Sequence, residues 1–574
     1  MSELVLRQAG FSELAYQFGR FIHRLNHGDD ELIGITAALL SEAVSQGHVC
    51  LNLAITPSLG LDVPDTKEWF KRLQKSSVVG SEGENKPLIL TEDGLLYLYR
   101  HWQEEQQIAD AIFQRCQPIP LNNKEQLQHD FSEWQSDAIG IDWQKIAVVI
   151  ALTRQFSVIS GGPGTGKTTI VLRLLKMLKS QNADLVIALA APTGKAAARL
   201  QQAISHNGQV TLEAKTLHRL LGITATNEQG RYDRQQPLAI DVLIIDEASM
   251  IDISLMAIVM RALPEHARLV LLGDSQQLAS VESGAVLANL CAEKPAFSSS
   301  FTDSVYQLTG ISLPVSEKVP VLTDSIVTLQ HSYRFNDSSD IGQLAKAVQG
   351  GELTTVFNVL ETAEIPIWQQ EFTPEDIENN VMASYSAYFD AVNNYAEATV
   401  CTALFEKHRV LCALKQGPQS VATVNYLIEK QLNKQGWKTQ QTFYPGRPIM
   451  VTKNDYRQRL FNGDTGLILY NPQGVLRACF TTDEHVRWID LNRLPAHETA
   501  FAITIHKSQG SEFDKVTVLL PEEDNILLNR SLLYTAITRA RKQLMIMCSD
   551  ARLSKTVQTQ HQRETGLGKL INKR

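Results

Sequence analysis

The stretch GGPGTGKTT, Gly161 to Thr169, decides the reading of this chain. It has the form G-x-x-x-x-G-K-T, it follows the apolar β-rich run FSVIS (156–160), and it opens the helical stretch TTIVLRLLKMLKS. That context makes it a phosphate-binding loop. Glycines at Gly161, Gly162, Gly164 and Gly166, with Pro163 and Thr165 between them, let successive backbone N–H groups converge on phosphate oxygens. The helix that starts beside Thr168 and Thr169 adds the partial positive charge of its N-terminus. Lys167 is placed to reach the terminal phosphates of a nucleotide, and the Thr168 hydroxyl to ligate Mg²⁺. About eighty residues further on, VLIIDEASM sets Asp246 and Glu247 at the end of an apolar strand. The first carboxylate suits the Mg²⁺ shell and the second suits a base that polarises water. Either motif alone has a bland reading, a Gly-rich turn or an acidic strand end. The pair in this order predicts nucleotide hydrolysis with Mg²⁺.

Outward from the loop, short apolar runs alternate with helical stretches: LVIALA (185–190), VLII (242–245) and RLVLL (268–272), then RVLCAL (409–414), KVTVLL (515–520) and LMIMC (544–548). The alternation predicts an α/β fold with parallel sheets covered by helices. Its return after a gap predicts two lobes, over 140–320 and 321–574. Residues 440–500, richer in turn signals, read as a small β-rich insertion in the second lobe. Residues 1–115 hold no phosphate or metal motif and read as a small, mainly helical domain for partner docking, joined by a polar linker over 116–139. Asp62, with Asp65, Thr66 and Lys67, only faintly suggests a metal-dependent nuclease. The two acids lie three residues apart in a Pro-containing loop, so that chemistry is rejected.

The chain has 574 residues, 44% hydrophobic and 20% charged, which suits several globular domains. No apolar run reaches the roughly 20 residues of a membrane helix, and the expectation is a cytoplasmic protein with no signal peptide and no membrane association. The 7 cysteines are scattered without a C-x-x-C pair, which argues against a metal cluster. The net charge of −8 does not announce a nucleic-acid binder, although a basic channel can lie within an acidic protein.

Six further segments occur in order: APTGKAAARL (191–200), TLHRLLG (216–222), LLGDSQQLASVESG (271–284), LQHSYRF (329–335), AFAITIHKSQGSEF (500–513) and LLYTAITRARK (532–542). Together they resemble the motif set of superfamily 1 helicases, in the branch that moves 5′→3′. With NDYRQRLFNGDTG (454–466), the wording is similar to that of the RecD family, the alpha chains of exodeoxyribonuclease V. The resemblance covers about 140–545. It implies two RecA-like lobes, ATP and Mg²⁺ as cofactors, a 5′-ended single strand of DNA as the track, and RecB-like and RecC-like subunits as partners. It also implies that any DNA cutting belongs to another subunit.

Residue by residue, the resemblance makes Gln277 the sensor of the terminal phosphate and makes Arg334 and Arg539 arginine fingers supplied from the second lobe. Tyr333 falls where such proteins stack an aromatic on adenine, Gln144 where they read its edge, and Glu512 where they touch the ribose. Arg541 reads better as a salt-bridge partner. Thr193, Lys195, His218, Thr504 and His506 fall in motifs that hold the DNA strand, although either histidine could equally be a satisfied core residue. The alternatives are a free-standing RecD-like 5′→3′ helicase and an ATP-gated subunit that binds without translocating.

Overall fold

The computed structural model describes residues 11–55, 64–135, 140–205, 212–224, 226–317, 320–333, 339–455, 457–481 and 485–573. Arg334 and Asp62 lie outside them.

The N-terminal region begins with two helices, Glu13–Leu25 and Glu31–Ser45, whose first turns are capped by the side chains of Ser12 and Asp30. These side chains accept from backbone N–H groups that have no partner within the helix. Both helices pack on a sheet of β1 (Cys50–Asn52), β2 (Val79–Gly80), β3 (Leu88–Leu90) and β4 (Leu95–Leu98), in the order β1-β4-β3-β2. The region is therefore helical with a small sheet of its own, which short three-residue runs such as LIL hide in the sequence. Asp65 accepts from the backbone of Lys67 and Glu68 and caps the helix Thr66–Lys75. A capping role accounts for this carboxylate without any metal chemistry.

The first lobe is a six-stranded sheet in the order β10-β5-β9-β8-β6-β7. Its strands are β5 (Phe156–Gly161), β6 (Ile187–Ala191), β7 (Ala214–Thr216), β8 (Val242–Ile245), β9 (Arg268–Gly273) and β10 (Ile326–Leu329), all paired in parallel. β5 and β8 are buried along their whole length, which is why they read as unbroken apolar runs. β10 lies beyond residue 320, where the sequence pattern puts the lobe boundary, yet it pairs with β5 from Ile326 to Leu329.

In the second lobe β11 (Ile367–Gln369), β12 (His408–Cys412), β18 (Ala502–Thr504), β19 (Phe513–Leu519) and β20 (Ala540–Met547) form a parallel sheet in the order β11-β20-β19-β12-β18. Between β12 and β18 the chain makes a separate antiparallel sheet from β13 (Arg447–Val451), β14 (Thr465–Tyr470), β15 (Leu476–Thr481), β16 (Val486–Ile489) and β17 (His497–Thr499). This is the β-rich insertion that the turn signals over 440–500 predict.

The C-terminal segment does something the sequence does not announce. It leaves the second lobe and returns to the N-terminal region, where Glu564 accepts from Val49 and donates to His48. Its last helix, Leu567–Asn572, buries Leu567 and Ile571 in the core shared with the helix Tyr99–Arg115. The buried carboxylate of Glu105 holds this return through the Tyr97 hydroxyl, the Gly566 N–H and the Thr565 hydroxyl. The span 321–574 is thus not one lobe, because its end packs with residues of the N-terminal region and the helix Tyr99–Arg115.

Candidate functional site at the lobe interface

The loop Gly161–Thr169 joins β5 to the helix Lys167–Gln181. Gly166 caps that helix in the left-handed region at φ 83°, where a side chain would be strained. A β-carbon on Gly162 would stand 3.0 Å from the Tyr534 hydroxyl of the second lobe, so glycine there lets the loop backbone lie close to the opposite wall without crowding it. Lys167 Nζ donates to the Gly161 and Gly162 carbonyls at 2.5 and 3.1 Å, which holds the ammonium over the loop. Gln144 Nε2 donates to the Thr165 carbonyl at 2.9 Å. Tyr333 N donates to the Gly164 carbonyl at 2.9 Å, and Ser332 Oγ to that of Pro163 at 3.0 Å. The Gln144 and Tyr333 predicted to flank an adenine are thus both brought to the loop.

A cavity of about 540 Å³ opens beside the loop. Thr168, Asp246, Glu247, Gln277, Glu512 and Arg539 line it, from five separate segments of sequence and from both lobes. Asp246 and Glu247 follow β8, and Glu247 turns the chain in the left-handed region at φ 55°. Burial, with Glu247 alongside, pushes the Asp246 carboxyl up to about 6, and Lys167 pulls it part of the way back. A carboxylate raised by burial and by a like-charged neighbour favours a cation. Among the described residues no group of three or more His, Cys, Asp or Glu is arranged to hold a metal. One or two carboxylates and a threonine hydroxyl suit Mg²⁺, which keeps waters and takes its other ligands from phosphates.

After β9, Gln277 donates through Nε2 to Asp274 at 3.0 Å, while its Oε1 is buried without a partner. An unsatisfied buried carbonyl facing such a cavity is a position where a bound group would be recognised. Arg539 is only 2% exposed. Its guanidinium donates to the Thr535 and Ser511 carbonyls at 3.1 and 3.2 Å. Burial lowers its pKa, and the carboxylates of Glu247 and Glu512 oppose that shift. Arg541 donates to Glu512 at 3.2 Å, the salt bridge that its sequence position suggested. Arg199, Asp274 and Tyr534 also stand here, inside the segments APTGKAAARL, LLGDSQQLASVESG and LLYTAITRARK, with no local signal that sets them apart.

The residues expected to meet DNA lie at the carboxyl ends of other strands. Thr193 caps the helix Gly194–Ser205 after β6 by accepting from Ala196 N at 3.2 Å. His218 is exposed on the short helix Leu217–Leu221 after β7. Thr504 ends β18 and accepts from Lys507 N at 3.3 Å, and His506 follows it. Lys195 is pushed down to about 8 by burial and by Arg409, with Glu406 and Asp464 opposing. A β-carbon on Gly194 would lie 2.9 Å from Phe461, so the insertion of the second lobe reaches over the first.

A RecBCD enzyme subunit RecD of Mycolicibacterium smegmatis is 35% identical over 564 residues, covering 94% of this chain and 94% of its own. This chain belongs to the RecD family. A RecD subunit of Haemophilus influenzae is 36% identical, with 83% of this chain and 80% of that one covered. The RecD N-terminal domain family matches residues 7–97, an AAA domain 144–283 and a UvrD-like helicase C-terminal domain 499–547. An ATP-dependent RecD2 DNA helicase of Deinococcus radiodurans is 28% identical, covering 79% of this chain and 55% of its own length. The nucleotide-binding character implied by these domains agrees with the loop and cavity above. No helix among the described residues is long and apolar enough to cross a membrane.

Proposed function

We propose that this RecD-family chain is an ATP-dependent 5′→3′ translocase and helicase on single-stranded DNA, the motor subunit of a RecBCD-type exonuclease V acting in repair of broken DNA in the cytoplasm. The observation that carries the proposal is the cavity between the lobes, where the loop and carboxylates of the first face Arg539 of the second. Hydrolysis at such an interface makes lobe closure and transition-state stabilisation one event, and cycles of closure move a strand.

In this reading Gly161 to Thr169 cradle the phosphates of ATP, and Lys167 leaves the loop carbonyls for them. Thr168 and Asp246 hold Mg²⁺, which when bound neutralises phosphate charge. Glu247 takes the proton of the attacking water, and Gln277 senses the terminal phosphate, its open carbonyl accepting from that water. Arg539 and Arg334 meet the charge that develops in the transition state. Gln144 and Tyr333 hold the base and Glu512 the ribose. Thr193, Lys195, His218, Thr504 and His506 grip the strand through its backbone, which gives little sequence preference. RecB-like and RecC-like subunits are the partners, and the nuclease lies outside this chain. A free-standing helicase is the second reading. It fits less well, because the RecD2 helicase is covered over only 55% of its length whereas the RecD subunit of M. smegmatis is covered over 94%.

The test is streptavidin displacement from DNA carrying biotin at the 3′ or the 5′ end, with and without partner subunits. A 5′→3′ motor strips the 3′ end, more slowly as salt rises. Preferential stripping of the 5′ end overturns the polarity. Full-rate unwinding of long duplexes by the lone chain selects the free-standing reading.

A further inference from the structure

Three consecutive residues of the second lobe, Gly510 to Glu512, are held by three arginines, and one of the three comes from the first lobe. Arg539 donates to the Ser511 carbonyl at 3.2 Å, and Arg541 pairs with Glu512 at 3.2 Å. Both follow the helix Arg530–Ile537 in the same lobe, so their bonds survive any separation of the lobes. Arg199 is different. From the helix Gly194–Ser205 it donates to the Gly510 carbonyl at 2.7 Å and pairs with Glu512 at 3.4 Å. These two bonds exist only while the lobes are together. Arg199 also lines the cavity beside the phosphate loop.

The position of Arg199 on its helix gives the link a direction. Lys195 stands four residues earlier, on the same helix face and one turn away. Thr193 caps that end of the helix. A group that takes hold of Thr193 and Lys195 acts on a rigid rod whose next turn grips segment 510–512. Through the Ser511 carbonyl that segment is bonded to Arg539, and it carries Glu512 itself.

We infer that Arg199 is a positioning residue. It relays occupancy of the strand-binding end of its helix to Glu512 and Arg539 by locking segment 510–512 against the first lobe. The inference rests on the reading of the cavity as the ATP site. It assigns the DNA stimulation of hydrolysis to a specific inter-lobe contact.

The test uses the full chain, with ATP hydrolysis measured with and without a single-stranded oligonucleotide. Arg199→Ala is expected to cut the ratio of stimulated to unstimulated turnover about tenfold, in the range for loss of a partly exposed charged contact plus a hydrogen bond. Binding of a fluorescent ATP analogue without DNA changes by less than about threefold, because the loop groups are untouched. Arg199→Lys, which keeps the positive charge but replaces the two-nitrogen fork with a single nitrogen, recovers part of the ratio. Arg199→Ala combined with Glu512→Ala loses no more stimulation than the worse single variant, since both break the Arg199–Glu512 pair. Melting temperature is followed for each variant, and the lysine variant keeps the test decisive if the alanine variant unfolds. An unchanged ratio in folded Arg199→Ala, or losses that multiply in the double variant, overturns the inference. Lys167→Gln, run alongside, separates the two levels. Turnover persisting in it sinks the ATP-site reading, whereas turnover abolished there with normal stimulation in Arg199→Ala sinks only the relay.

Discussion

The hydroxyl of Tyr534, in the second lobe, donates a 3.1 Å hydrogen bond to the buried carboxylate of Asp274 in the first. The same Asp274 oxygen accepts from Gln277 Nε2 at 3.0 Å. Next to it Leu278 N donates to the Thr535 hydroxyl at 3.0 Å, and Gln509 Nε2 to the Leu278 carbonyl at 2.9 Å. Burial raises the pKa of Asp274, and the two side-chain donors and Lys167 oppose that. The segment 274–278 therefore ties the cavity-lining Gln277 to the second lobe through a few hydrogen bonds.

Tyr534→Phe tests that contact. It removes one donor from a buried carboxylate, a loss of about 1.5–3 kcal/mol where the acceptor is charged. Turnover with DNA is expected to fall several-fold while affinity for an ATP analogue stays within about twofold. Steady-state kinetics beside equilibrium binding decides this. Unchanged turnover would leave the Tyr534–Asp274 bond a packing detail.

Lys167→Gln is expected to abolish ATP turnover with the fold intact. Among the described residues the ammonium donates to two loop carbonyls, so its loss costs catalysis more than stability. Retention of more than about a tenth of the wild-type rate, a barrier change of only ~1.4 kcal/mol, contradicts the phosphate role.

Arg539→Ala has a double effect. Loss of a supplied arginine costs ~10³–10⁵ in rate at related phosphoryl-transfer sites. Because the side chain is 2% exposed and holds two backbone carbonyls, its removal also costs about 1–3 kcal/mol of stability. Stopped-flow analogue binding, hydrolysis and thermal melting separate the two. A fall in binding equal to the fall in kcat/KM, with kcat unchanged, rejects the finger role.

Glu105 predicts a pH dependence of the C-terminal return. Burial pushes its carboxyl up to about 7, against the pull of Thr565, Tyr97 and Gly566. Unfolded, the group titrates near ~4.3. Between these values the folded state binds more protons, so this contribution to stability falls as pH rises from about 4 to about 7 and is flat above. Hydrogen exchange of Glu564–Asn572, corrected for intrinsic rates, is expected to quicken from pH 5.5 to pH 7.5 in the wild type and not in Glu105→Gln. The same pH dependence in both proteins refutes it.

Much of the site was legible in the chain because its chemistry demands contiguous residues. A phosphate loop needs its glycines, lysine and threonine in one turn between a strand and a helix, so GGPGTGKTT carries fold and ligand class together. The alternation of buried runs, from FSVIS to LMIMC, likewise betrays parallel strands that no water reaches. Local physics determined those features. Tertiary structure alone decided which distant pieces meet. That Arg199 reaches Glu512, that Tyr534 reaches Asp274, and that Glu564 returns to Val49 are matters of how sheets and lobes stack. No periodicity records a pairing between residues hundreds of positions apart. The spans 140–320 and 321–574 part β10 and the final helix from the cores that bury them for the same reason: a four-residue strand and a six-residue helix carry too little local signal to show which core that is. The burial that settles it comes from neighbours remote in the chain.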